Sequence, residues 1–193
     1  VWAGTALCSC ALAFRFIVRL KLFSRLQLDD LFAGFAWILL LTTAILWTII
    51  MDKVYYMKYV LSGMVPPTDM VKLFDAIQVY LHGSLAVLIM FYVGLWTVKI
   101  NFLIFFKRLG YQISYYRTYW WVITVFTVAA GAACIGDIQY DCLAVTVEQT
   151  MAKCSQPAAI KYQDITLKVN CALDVLTDIL SKSLFIVSNY QRC

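Results

Sequence analysis

The chain has 193 residues, of which 63% are hydrophobic and only 14% charged, with a formal net charge of +5 and a mean hydropathy of +0.78. A soluble domain carries about 45–50% apolar and about 25% charged residues, so a single soluble core cannot hold this excess and lipid must solvate much of it. The positive charges sit between apolar runs, so they read better as an orientation signal in a bilayer than as a nucleic-acid surface, and no nucleic-acid partner is expected.

An α-helix needs about 20 mostly apolar residues to cross the hydrocarbon core. The first run, Val1 to about Leu20, is free of charge to Phe14 and then carries Arg15 and Arg19, which can snorkel to an interface. It lacks the basic leader and small-residue cleavage site of a signal peptide. Leu31 to Met51 contains no charge at all and is the strongest span. A third falls within Leu81 to Phe106, interrupted only by Lys99. A fourth, Thr118 to Gly136, opens with Tyr119, Trp120 and Trp121, a cluster with the look of an interfacial aromatic belt. The fifth, about Ile165 to Ser188, carries Lys168, Asp174, Asp178 and Lys182. Each central Asp costs about 2.5–3.5 kcal/mol on insertion scales, so neighbours must place this helix, with its polar side facing protein. The expected architecture is an all-α polytopic membrane bundle of about five transmembrane helices.

The loops set the orientation. The segment 15–30 holds Arg15, Arg19, Lys21 and Arg25, and the segment 107–117 holds Lys107, Arg108 and Arg117 without an acid. The other two loops mix acids with lysines. Lys and Arg accumulate on the cytoplasmic side, so the two basic loops are placed there, with the N-terminus outside. Cys142 and Cys154 then lie in an outer loop, an oxidising setting. They enclose Leu143 to Lys153 and are expected to bridge, the alternative being two free thiols. Cys8, Cys10, Cys134 and Cys171 fall in helices and read as small packing residues.

Three stretches carry a family likeness: "FRFIVRLKLFSRLQLDDLFAGFAW", "GLWTVKINFLIFFKRLG", and "NCALDVLTDIL" preceded by "YDCLAVTVEQTMAKCS". Their order and spacing over residues 1 to about 180 resemble the fungal rhodopsin-domain integral membrane proteins, the Pth-type, G-protein-coupled-receptor-like proteins of ascomycetes. The resemblance implies a seven-helix bundle with its N-terminus outside. Against that pattern residues 1–193 read as one such domain, incomplete at both ends, with a divergent tail over about 181–193.

Candidate chemistry gathers at a few residues. Asp29 and Asp30 open the second helix, where acids cap orphan N–H groups and complement the dipole. In the family this pair is a hallmark, and it can pair with Arg15, Arg19 or Arg25 to lock the cytoplasmic face. Lys99 either snorkels to the cytoplasm or pairs with Asp174 and Asp178, which share a helix face at i and i+4. Asn170, Thr177 and Ser181 fall on or near that face. Intramembrane ionisable groups are functional candidates by default, and the bland alternative is a structural network joining the third and fifth helices. His82, the sole histidine, reads as an interfacial hydrogen-bonder. The residues show no enzyme motif and no metal-ligand spacing. No cofactor is expected, and retinal is rejected, since its Schiff-base lysine belongs on the last helix of retinal proteins.

Two function classes follow. One is a receptor-like multi-pass protein of the plasma membrane that senses an extracellular or surface cue and contacts a cytoplasmic signalling partner. The other is a transporter or channel that uses Lys99, Asp174 and Asp178 along a polar path. A third reading is a truncated product without function of its own.

Overall fold

The computed structural model describes residues 1–23, 28–63, 70–110, 114–154 and 156–190. Among the described residues the chain is an all-α bundle. Its long helices are α1 (Trp2–Phe23), α2 (Leu28–Leu61), α3 (Met70–Gly110), α4 (Ser114–Gly136) and α7 (Pro157–Tyr190). The short helices α5 (Tyr140–Leu143) and α6 (Val147–Cys154) lie between α4 and α7. All three prolines punctuate this pattern. Pro66 and Pro67 fall between α2 and α3 in sequence, and Pro157 is the first residue of α7, where a missing N–H costs nothing. Past the end of α2, Gly63 takes φ +73°, a left-handed conformation that closes a helix C-terminus at no steric cost.

Four segments are long and apolar enough to cross a membrane: Trp2–Lys21, Asp29–Val60, Val71–Lys107 and Tyr115–Leu143. α7 is as long as α2, but its charges keep it outside that group. The outward faces carry Leu7, Phe14, Leu31, Val122 and Val125, all exposed, as expected where lipid is the solvent. α2 and α3 are longer than the charge-free runs that betray them. At 1.5 Å per residue the 41 residues of α3 span about 60 Å, twice the roughly 30 Å hydrocarbon core. Residues expected in the second loop, including Asp52, Lys53, Lys58, Lys72 and Asp75, therefore sit on helical extensions. Charges stop a hydropathy window, but they do not stop a backbone hydrogen-bond ladder once it leaves the bilayer.

α3 is the hub, touching α2, α4, α5, α6 and α7. Near its C-terminal end Leu103 packs with Tyr116, Trp120 and Ile123 of α4 and Leu184 of α7. Higher up, Trp96 packs against Ala130 and Cys134 of α4. Gly131 makes that approach possible: a Cβ there would lie 3.0 Å from the Trp96 ring. The aromatic-belt reading needs correcting at Trp120. Only Trp121 faces outward, whereas Trp120 is buried and its indole donates to Leu103 O at 2.7 Å. The indole N–H finds an interhelical acceptor there that lipid cannot supply. The packing expected of the helical cysteines holds for Cys134 alone, because Cys8, Cys10 and Cys171 are exposed. A thiol is as well solvated by lipid as by a core. α1 packs only on α2 among the described residues, tied by Trp2 Nε1 to Thr48 Oγ1 at 3.2 Å and Trp37 Nε1 to Ser9 Oγ at 2.9 Å.

Candidate functional site

The most concentrated chemistry inside the bundle lies between α3 and α7. Lys99 is three residues past Trp96, so both point from one face of α3, and the Lys99 ammonium sits 5.2 Å from the Trp96 ring centroid. Lys99 is buried and does not snorkel. Its Nζ donates to Asp174 O at 2.7 Å and to Thr177 Oγ1 at 2.8 Å. It also lies 2.7 Å from Asp174 Oδ1 and 2.8 Å from Asp178 Oδ1. An ammonium has three N–H groups for these four oxygens. Asp174 Oδ1 receives no hydrogen bond, so its contact is a charge contact with an angle off the bonding direction. The Thr177 hydroxyl is held by its own helix, 2.9 Å from both Leu173 O and Asp174 O, which leaves its lone pairs to Lys99.

The carboxylates are not equally enclosed. The Asp174 side chain is 37% exposed and that of Asp178 54%, against 8% for Lys99. The ammonium is thus held deep while the acids lie at the open edge of the seam. One turn above Asp174, the Asn170 amide donates to Tyr92 OH at 3.2 Å. Trp96 Nε1, Asn170 Oδ1 and Ser181 Oγ are buried on the helices of this seam without a hydrogen-bond partner. Buried polar atoms are normally satisfied, so hydrogen-bonding capacity remains unused here. Sequence reasoning named Lys99, Asn170, Asp174 and Asp178, and the structure brings them together. It missed Tyr92 and Trp96, whose only signal is their i, i+4, i+7 spacing to Lys99.

A second ionic group ties α1 to α2 at the basic end. Arg15 Nη2 lies 3.0 Å from Asp29 Oδ2, and Arg15 Nε 3.2 Å from Asp30 Oδ1. Arg19 reaches the same acids at 2.5 Å and 3.3 Å. Both acids are buried and stand in the first turn of α2, so the dipole favours them as well. Arg25 lies outside the described residues, as does the side chain of Arg108. Lys107 stands over Trp120 and Trp121, 4.7 Å and 5.5 Å from their ring centroids, and Arg117 is exposed.

At the opposite end α5 and α6 form a cap. Cys142 and Cys154 are joined by a disulfide, with 12 residues of sequence separation. The Gln78 side chain of α3 holds the cap by its backbone. Gln78 Nε2 donates to Val145 O at 3.2 Å, and Gln78 Oε1 accepts from Val147 N at 3.1 Å. The same amide nitrogen lies 2.9 Å from His82 Nε2 one turn on. Nothing in the sequence marks Gln78, a neutral polar residue inside a helical run. Among the described residues no three His, Cys, Asp or Glu side chains are placed to hold a metal ion.

No protein-family model, curated protein or solved structure matches the chain.

Proposed function

We propose that the chain is a receptor-like protein of the fungal rhodopsin-domain type, sensing an extracellular or surface cue without retinal. The observation that carries this reading is mechanical. The disulfide-closed cap is gripped by Gln78, on the same helix that carries Lys99 about six turns further on. A ligand acts only through its differential affinity for two states of a bundle. A cue that prefers one position of the cap would bias α3, and α3 bears on α7 through Lys99, Asp174 and Asp178. In this reading the chain lies in the plasma membrane with the cap and the N-terminus outside. The basic end, with the Arg15, Arg19, Asp29 and Asp30 lock, then faces the cytoplasm and any signalling partner.

Gln78→Ala tests the linkage. It removes both cap contacts, so hydrogen exchange at 145–147 should quicken, and with it the exchange around Lys99 on α3. Faster exchange at the cap with none at α3 would sink the mechanical reading. A transport reading has one observation in its favour, the exposure of Asp178 at the edge of an incompletely satisfied seam. Asp174→Asn with Asp178→Asn separates the two: loss of an ion or solute flux supports transport, and loss of stability alone removes it.

A further inference from the structure

Where α3 ends and α4 begins, two cations lie together without a carboxylate. Lys107 of α3 and Arg117 of α4 line one small notch with Tyr116 and Trp120. The Lys107 ammonium stands 4.7 Å and 5.5 Å from the ring centroids of Trp120 and Trp121. Those rings attract a cation but carry no net charge to neutralise it. The sequence holds no Asp or Glu between Asp75 and Asp137, and none after Asp178. Among the described residues neither Lys107 nor Arg117 forms an ion pair.

The surface beside the notch is apolar and runs along the bilayer. Arg117, Trp121, Val125 and Val128 are all exposed. Spacings of four, four and three residues put them on one side of α4. That side looks away from Tyr116, Trp120, Ile123 and Thr127, which are buried in the bundle. Arg117 and Trp121 fall near the start of the membrane-crossing segment Tyr115–Leu143, the level at which basic and aromatic side chains meet headgroups. From that end inward the stripe is a cation, an interfacial ring and then branched aliphatic side chains. A phospholipid has the same order, with a charged headgroup, a glycerol region and an acyl chain.

We propose that this corner holds an anionic phospholipid, its phosphate between Lys107 and Arg117 and an acyl chain along Trp121, Val125 and Val128. The guanidinium offers the phosphate a fork of donors and the ammonium offers a point charge. Charge selects the occupant. A zwitterionic lipid brings its own cation to a corner that already has two, whereas an anionic lipid leaves its charge for the side chains. A basic pocket between membrane helices is a recognised form of headgroup site. A free anion would answer the cations but leave the valine stripe unused, so the bilayer is the source of the phosphate. Such a site requires only that α3 and α4 span a membrane. It is independent of the receptor-like reading and of the side this end faces.

The test uses the full chain in phosphatidylcholine vesicles doped with phosphatidylglycerol brominated in its upper acyl chain. Bromine quenches a tryptophan only on contact. Brominated phosphatidylglycerol should reach half-quenching at about one-tenth the mole fraction that brominated phosphatidylcholine needs, since each Lys or Arg at the headgroup level favours an anionic lipid by about fivefold. Trp121→Phe should remove most of this excess. Lys107→Met with Arg117→Met should abolish the preference, and the charge-keeping pair Lys107→Arg with Arg117→Lys should retain it. Lys21→Met, at an exposed lysine of α1, should leave it unchanged. Equal quenching by the two lipids, or an excess that survives Trp121→Phe or the double Met variant, overturns the proposal. Equal loss in Lys21→Met overturns it as a general surface-charge effect, and loss in the charge-keeping pair overturns it as a disturbed fold. Displacement of the lipid by inorganic phosphate overturns it in favour of a free-anion site.

Discussion

Replacing Lys99 with Met removes a cation while preserving most of the bulk beside Trp96. Asp174 and Asp178 then face each other with no ammonium between them, and Thr177 loses the donor that its hydroxyl is turned to receive. Breaking a fully buried pair by removing one partner costs about 3–5 kcal/mol. Here the carboxylates are 37% and 54% exposed, so the lower end applies, about 3 kcal/mol, or roughly a hundredfold in the folding equilibrium. Most of that cost comes from the stranded negative charges. Adding Asp174→Asn and Asp178→Asn to Lys99→Met should therefore return about 1.5 kcal/mol or more, a coupling within the range for groups in contact. Reversible unfolding in mixed micelles gives all the stabilities needed for the cycle. A Lys99→Met protein as stable as the parent, or a triple variant no better than the single, would refute the buried-cation reading of this seam.

The geometry carries three further expectations. Arg15→Met with Arg19→Met takes the ion pairs of both arginines from two buried carboxylates at the start of α2 and loosens α2, the helix that α1 packs on among the described residues. The loss should be about 1.5–3 kcal/mol, the scale of a hydrogen bond to a charged group, and hydrogen exchange in α1 should rise before that of α3. Cys142→Ser opens a loop of 12 residues of separation, worth about 3 kcal/mol in the chain-entropy picture. Mass-shift alkylation should report both thiols shielded in the parent and Cys154 reactive in the variant. Gly131→Ala sets a methyl 3.0 Å from the Trp96 ring, an overpacking that costs about 1–3 kcal/mol, measurable as a lowered Tm, whereas Gly136→Ala, with open space around it, should leave Tm unchanged.

Much of this architecture is legible in the sequence because lipid demands it. The charge-free run from Leu31 to Met51 can be little else than a membrane helix, and α2 contains it whole. What hydropathy misses is the helix beyond the lipid. α3 begins at Met70 rather than near Leu81, because Lys72, Asp75 and Gln78 interrupt the apolar run without interrupting the backbone. The charged half of the α3–α7 seam is legible for the same reason in reverse: Lys99, Asp174 and Asp178 are expensive in lipid and stand out. Its neutral half is not. Tyr92, Trp96 and Gln78 are ordinary residues whose roles depend on what a distant helix or loop places opposite them. Trp120 misleads for that reason as well, since a tryptophan near a helix end fits either a belt or a buried donor until its acceptor, Leu103 O, is known.

The receptor-like reading rests on one orientation, with the arginine–aspartate lock and the segment between α3 and α4 on the cytoplasmic side and the disulfide cap outside. Reporter tags inserted singly into 24–27, 111–113 and the cap segment 144–146 test this in intact cells. The expected result is that the first two are read only after permeabilisation and the third is read from outside. The reverse pattern would contradict that orientation, removing the oxidising environment of Cys142 and Cys154 and the proposed receiving face together.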